Sequence, residues 1–255
     1  DSSARTVCAG SYQKLSKKTT MQTTEFAPGL VVQNLASPLR LSDFKLIAFD
    51  MDSTLINIEC IDEIADAAGR KAEVAAITEA AMRGEITDFK DSLRRRLALL
   101  KGVPASHLEA VLTERLRFNP GAKELITAAK AAGLTTLLVS GGFTFFADRV
   151  KAGLGMDFAR ANQLEVQDGH LTGRLIAQCW GDICDGAEKR RTMLEVASLL
   201  GIGAECAGFW THDGDVRTLK GFVERFPTIP RVDDHQRLLD DASNPCYRQH
   251  GLFPR

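Results

Sequence analysis

An α/β fold with parallel strands, interrupted by a helical insertion, is what this sequence predicts, and three observations predict it. Leu46-Ile47-Ala48-Phe49 and residues 134–139 are short apolar runs of the kind that form buried strands. Helical patterns precede and follow the second run, which is the arrangement of a parallel βαβ unit. Between the two runs lie four helical patterns with no strand signal among them, and these read as an inserted helical cap.

The elements follow in order. Residues 44–49 give the first core strand. Residues 56–69 read as a helix because Ile58, Ile61, Ile64, Ala65 and Ala68 recur on one face, with Gly69 as the stop. Residues 71–83, 87–101 and 105–117 give three more helices, separated by Gly84-Glu85 and Gly102-Val103-Pro104. Asn119-Pro120-Gly121 marks the return to the main domain. An alanine-rich helix over 122–132 ends at Gly133, the second strand covers 134–139, and a helix covers 143–153. Leu164-Glu165-Val166 and Leu171-Thr172-Gly173-Arg174-Leu175 flank Asp168-Gly169, a strong hairpin signal. Residues 187–200 are helical up to Gly201, and 207–210 read as a short strand. Pro227, Pro230, Pro245 and Pro254 break up the remainder. The expected division is an N-terminal extension over 1–43 with a working start at Met21, a core formed by 44–57 and 118–255, and a cap over 58–117.

The chain has 255 residues, with 32 basic and 33 acidic side chains and a formal net charge of -1. That balance argues against a general nucleic-acid or membrane-surface binder, and no apolar run is long enough to span a bilayer. Six cysteines are scattered without a CxxC pair, which reads as a reduced set in a cytoplasmic protein. The five histidines are isolated, so zinc is not expected.

Chemistry concentrates at Asp50-Met51-Asp52-Ser53-Thr54-Leu55, directly after the first core strand. Ligands of open α/β sheets bind beyond the strand C-termini. Two adjacent carboxylates repel unless they share a cation or a proton, and Mg²⁺ favours carboxylates, water and phosphate oxygens. One carboxylate can attack phosphorus while the other handles protons. Ser140-Gly141-Gly142, after the second strand, suits phosphate oxygens through a hydroxyl and backbone amides. Lys189, at a helix start, can offset phosphoryl charge, although spacing alone favours a solvated basic face and does not choose Lys189 over Arg190. Arg96 lies on or beside the stripe formed by Phe89, Leu93, Leu97 and Leu100. It suits a carboxylate ligand or an internal ion pair with Glu59 or Asp62. Glu59 suits a substrate ammonium, but by spacing it belongs to the acidic face Glu59-Asp62-Glu63-Asp66.

These motifs, together with Ser92-Leu93-Arg94-Arg95-Arg96, Val139-Ser140-Gly141-Gly142-Phe143 and Asp185-Gly186-Ala187-Glu188-Lys189, resemble the haloacid dehalogenase-like phosphatases over roughly residues 44–202. The likeness is strongest to the branch that hydrolyses phosphoserine. The resemblance implies a Rossmann-like doubly wound parallel core sheet with a helical-bundle cap. It further implies Mg²⁺-dependent hydrolysis of O-phospho-L-serine to L-serine and phosphate through an aspartyl-phosphate. Asp50 becomes the nucleophile and Asp52 the general acid/base; Asp50 and the Asp52 carbonyl hold Mg²⁺. Ser140, the Gly141 amide and Lys189 hold phosphate, and Glu59 and Arg96 meet the amino and carboxylate groups. The partner is thus a small phosphomonoester, and the expected pathway is L-serine biosynthesis. Another small phosphomonoester, phosphoryl transfer to an acceptor, or a catalytically impaired relic are the alternatives. The family's closing GDGxND-type motif has its nearest counterpart in His212-Asp213-Gly214-Asp215-Val216-Arg217, where only Asp213-Gly214 agrees and Arg217 stands in place of an acid. Asp213 is the candidate third metal ligand.

Overall fold

The structure is a computed structural model and describes residues 23–27, 30–33, 44–203, 207–210 and 217–218. Its main sheet is built from β3 (Leu46–Phe49), β4 (Thr135–Phe143), β5 (Phe158–Gln167), β6 (His170–Ile176), β7 (Ala207–Trp210) and β8 (Arg217–Thr218). Their order is β6-β5-β4-β3-β7-β8. The central strands β5, β4, β3 and β7 are parallel, and β6 and β8 are antiparallel additions at the edges. The chain steps outward from β3 to β4 to β5, then returns to place β7 on the other side of β3. That reversal is the switch point beyond which such sheets bind ligands.

Alternation along the strands explains the layering. Leu46, Ala48, Leu137 and Val139 pack with Met193, Val196 and Ala197 of α7 (Gly186–Leu199) on one face. Phe49 and Leu138 point to the other face, with Ile126 of α5 (Ala122–Ala131) and Phe146 and Val150 of α6 (Thr144–Leu154). Strands buried on both sides carry near-continuous apolar runs, as these do.

The helices after β3 are α1 (Cys60–Ala67), α2 (Lys71–Met82), α3 (Phe89–Leu99) and the short α4 (Ser106–Ala110), which runs into a π turn over Val111–Arg115. Three spans differ from expectation. The first helix begins at Cys60 rather than 56, because the Thr54, Leu55 and Ile56 amides all donate to the Met51 carbonyl in a tight turn. The expected 105–117 helix gives way to the π turn and ends at Arg115. The second strand also runs further than expected, through Ser140-Gly141-Gly142 to Phe143, with a register shift between Val139 and Phe143. The hairpin is as read: Asp168 and Gly169 take φ of 49° and 74°, as a two-residue primed turn requires.

Within the N-terminal extension, β1 (Thr23–Ala27) and β2 (Leu30–Gln33) form an antiparallel pair of their own, which the sequence reading did not foresee. The working start at Met21 lies outside the described residues. Cys60 and Cys184 are free thiols, but Cys179 is disulfide-bonded, so the reading of all six cysteines as reduced fails there. Pairing depends on proximity in the fold rather than on CxxC spacing. No helix among the described residues is long and apolar enough to cross a membrane.

Candidate active site

The site begins where β3 ends. Asp50 follows Phe49, which stands level with Leu138 of β4, so Asp50 and Ser140 leave neighbouring parallel strands almost side by side. Asp50 Oδ1 accepts from the Met51 amide at 2.8 Å, and its Oδ2 meets Lys189 Nζ at 2.6 Å. Both side chains of this ion pair are largely covered, at 15% and 16% exposure. The contact spans 139 residues of sequence, and it selects Lys189 over Arg190.

The turn after Asp50 reverses the chain. Ser53 takes a left-handed φ of 52°, and its amide donates to the Ile58 carbonyl at 3.1 Å. Asp52 is thereby carried back under the start of α1, where the Cys60 amide donates to Oδ1 at 3.0 Å. Burial raises the Asp52 carboxyl to about 6; the hydrogen bond from Cys60 opposes this, and the Glu59 and Asp50 charges add to it. A carboxyl in that range exchanges protons near neutrality, as general acid/base work requires.

Ser140 is fully buried, and its hydroxyl lies 3.4 Å from Asp52 Oδ2 while accepting from the Gly142 amide at 2.9 Å. Glycine at 142 is a matter of space. A Cβ there would stand 2.5 Å from Asp52 Oδ2 and 2.9 Å from Met51 Cε. Lys189 is presented by the first turn of α7, whose N-cap Asp185 accepts from the Glu188 amide at 2.9 Å.

The inserted helices supply the opposite wall. Glu59, just before α1, accepts from the Ser53 hydroxyl at 2.6 Å. Arg96 projects from α3 into the same cleft, and its Nε is buried without a hydrogen-bond partner among the described residues. The charges of Asp62 and Glu59 act on it, but neither forms an ion pair with it within 4.0 Å among the described residues. The internal-pair reading of Arg96 is therefore replaced by an unpartnered cation facing the cleft. The neighbouring arginines turn away: Arg94 pairs with Asp182 and Arg95 with Asp91.

Six of the eight residues expected from sequence line one cleft of about 180 Å³: Asp50, Asp52, Glu59, Arg96, Gly141 and Lys189. Ser140 stands directly behind it, and Asp213 lies outside the described residues. The volume falls below the roughly 300–1,000 Å³ of drug-sized sites, which favours a small ligand. Ile61, Leu93, Phe89, Gly142 and Phe143 complete the lining. Phe89, expected in the core stripe, is 44% exposed, and its ring lies 2.9 Å from where a Gly141 Cβ would stand. The sign that could have separated it from Leu93 and Leu97 is its place at the first residue of α3. Among the described residues no group of three or more His, Cys, Asp or Glu gathers as a metal cluster. The Asp50/Asp52 pair offers hard oxygen donors only. That fits Mg²⁺, which takes one or two carboxylates and completes its shell with water and phosphate oxygens.

Two carboxylates at the end of the first core strand, a lysine from a later helix and a hydroxyl-glycine strand end between them define a class. The family profile described as haloacid dehalogenase-like hydrolase matches residues 47–218, and the chain belongs to that family. The match continues past Ile202, where the motif resemblance ended. Among curated relatives, a phosphoserine phosphatase of Polaromonas sp. is 68% identical over 216 residues, covering 83% of this chain and 91% of that protein. A phosphoserine phosphatase of Albidiferax ferrireducens is 66% identical over 187 residues, covering 73% and 79%. Of solved structures, a phospho-aspartyl intermediate analogue of phosphoserine phosphatase superposes with a TM-score of 0.62 at 37% identity, covering 71% of this chain and 83% of that one. A substrate-bound phosphoserine phosphatase complex matches with the same score and identity.

Proposed function

We propose that this chain is a Mg²⁺-dependent phosphoserine phosphatase that hydrolyses O-phospho-L-serine to L-serine and phosphate, acting in L-serine biosynthesis in the cytoplasm. The observation that carries the reading is the pairing of opposites across one small cleft. Its floor holds Asp50 against Lys189 at 2.6 Å, and its wall presents the Arg96 guanidinium with a buried, unpartnered Nε. A ligand with a phosphoryl group at one end and a carboxylate at the other answers both. Glu59, exposed beside Arg96, answers the ammonium group of an amino acid.

An Asp50 carboxylate oxygen attacks phosphorus in line with the ester oxygen, forming an acyl phosphate as the P–O ester bond breaks. Asp52, with its carboxyl raised to about 6, gives its proton to the departing serine oxygen. It then takes a proton from the water that attacks the acyl phosphate, which frees phosphate and restores Asp50. Lys189, the Ser140 hydroxyl and the Gly141 amide hold the phosphoryl oxygens and offset their charge. Asp50, the Asp52 carbonyl and Asp213 would hold Mg²⁺, which when bound neutralises charge on the phosphoryl oxygens. Residues 58–117 serve in this reading as the cap that carries Glu59 and Arg96 over a core formed by 44–57 and 118 onward.

Phosphate release from O-phospho-L-serine, measured with and without Mg²⁺, tests the proposal against Asp50→Asn. Release that depends on Mg²⁺ and is lost in the variant supports it. Equal release by the variant removes Asp50 as nucleophile, and no release by the native chain removes the substrate assignment.

A further inference from the structure

We infer that Asn162, on β5 and outside every motif of the family resemblance, is a positioning residue that sets the geometry of the phosphate-binding half of the cleft; the inference rests on the phosphate site proposed above. Asn162 is 1% exposed, and its carboxamide makes one hydrogen bond at each end. Its Nδ2 donates to the Gly141 carbonyl at 2.7 Å, and its Oδ1 accepts from the Cys184 amide at 2.7 Å. The orientation of the amide is fixed by its partners, since a carbonyl only accepts and an amide N–H only donates.

The two partners belong to the two segments that meet the phosphoryl group. On one side, a trans peptide points its N–H opposite its C=O. Holding the Gly141 carbonyl toward β5 therefore aims the Gly142 N–H the other way, onto Ser140 Oγ at 2.9 Å. Ser140 in turn lies within 3.4 Å of Asp52. On the other side, the Cys184 amide begins the turn that enters α7 through its N-cap Asp185 and delivers Lys189 to Asp50. The two segments are close, with the Cys184 carbonyl 3.3 Å from where a Gly141 Cβ would stand. One side chain thus joins the strand end carrying Ser140 to the helix start carrying Lys189. A side chain that donates and accepts at this reach is required; an apolar replacement of the same size does neither, and an acidic one only accepts.

Asn162→Asp and Asn162→Leu, each checked for a native far-ultraviolet spectrum, test this. Three quantities are compared with the native chain in the presence of Mg²⁺: affinity for inorganic phosphate by calorimetry, affinity for L-serine by competition, and kcat and KM for phosphoserine. A displacement of about 1 Å in such a frame costs on the order of a hundredfold in kcat/KM. The expected result is about a tenfold or greater loss of phosphate affinity and roughly that hundredfold fall in kcat/KM, with L-serine affinity unchanged. In Asn162→Asp the carboxylate still accepts from Cys184 but faces the Gly141 carbonyl without a proton. Its protonated form donates again, so the phosphate-affinity deficit relative to the native chain narrows between about pH 8 and about pH 5.5. Phosphate affinity within twofold of native in both variants overturns the inference, as does an equal loss of phosphate and L-serine affinity, which is the mark of general loosening. If Asn162→Leu does not fold, the pH profile of Asn162→Asp decides alone. A native chain that binds phosphate but leaves phosphoserine intact removes the substrate reading while leaving Asn162 to be judged on phosphate.

Discussion

Replacing Gly142 by alanine adds one methyl group at the most crowded point of the cleft. The new Cβ would stand 2.5 Å from Asp52 Oδ2, 2.9 Å from Met51 Cε and 3.1 Å from Ser140 Oγ. A carbon and an oxygen rest no closer than about 3.3 Å, so the carboxylate must retreat by about 0.8 Å. It cannot do so freely, because Oδ1 is held by the Cys60 amide at 3.0 Å. The atoms displaced are side-chain ends, so the cost in stability is small, and the cost falls on the placement of the proposed general acid. A displacement near 1 Å corresponds to roughly a hundredfold loss in rate. The assay is kcat for phosphoserine at saturating Mg²⁺, with thermal unfolding as the control. Gly141→Ala is the comparison: its Cβ meets the ring edge of Phe89 at 2.9 Å, and that 44%-exposed ring can swing outward. A kcat for Gly142→Ala within twofold of native would refute the placement of Asp52 in proton transfer.

Three further outcomes follow from the same geometry. Arg96→Ala would remove the proposed charge-assisted contact to the substrate carboxylate, worth about 1.5–3 kcal/mol, so KM for phosphoserine should rise by roughly 10- to 150-fold. Hydrolysis of an aryl phosphate without a carboxylate should stay near native, and an equal effect on both substrates would contradict the role. Arg160, buried on β5, pairs with Glu188 at 2.7 Å and Glu195 at 2.9 Å. Arg160→Met leaves two buried glutamates to Arg191 alone, which should cost about 3–5 kcal/mol in urea unfolding; a change below 1 kcal/mol would argue against it. Asp157 is pushed up by burial, but Lys130 and the Thr136 amide and hydroxyl outweigh that and hold its carboxyl below the usual carboxylate range. A depressed folded value stabilises above the unfolded value of about 3.9 and is lost as pH falls through the folded one. Asp157→Asn should therefore lower the urea midpoint at neutral pH, with the difference from native shrinking below about pH 4; a difference independent of pH would contradict this.

What the sequence revealed was local, and what it withheld was long-range. The strand ending at Phe49 and the motif after it could be read because burial on two faces leaves an unbroken apolar run, and ligand sites of such sheets follow their strand ends. The Asp168-Gly169 turn was legible because few residue pairs tolerate two left-handed conformations. Lys189 was not separable from Arg190, since the choice is made by Asp50, 139 residues away. Arg96 could be placed on a face but not shown to lack a partner, because that depends on where Asp62 and Glu59 settle around it. The late start of α1 was hidden for a different reason: Ile56 and Ile58 continue the helical stripe, yet both are buried by a turn whose amides converge on Met51. Asn162 gave no signal at all, as a single polar residue in a strand acquires meaning only from what lies on either side of it.

β5 emerges from these contacts as the element that coordinates the two halves of the cleft. At its start, Arg160 and Asn162, two residues apart and so on one face, hold α7 and the end of β4. At its far end the strand turns through Asp168-Gly169 and meets the inserted helices. Gly102 donates to the Leu171 carbonyl, Leu171 to Val103, and Ala105 to Gly169, each at 2.8 Å. Lys90 and Arg94 of α3 add ion pairs to Asp182, just beyond the hairpin. The helix that carries Arg96 is thus fastened to the same strand that fixes Ser140 and Lys189. Its position over Asp50 is set from both ends, by the chain crossings at Asn57 and Asn119 and by the β5–β6 hairpin. For the proposed contact between Arg96 and a substrate carboxylate such a brace matters, because phosphoserine is short and reaches only a few ångströms from a phosphoryl group held at Asp50 and Lys189.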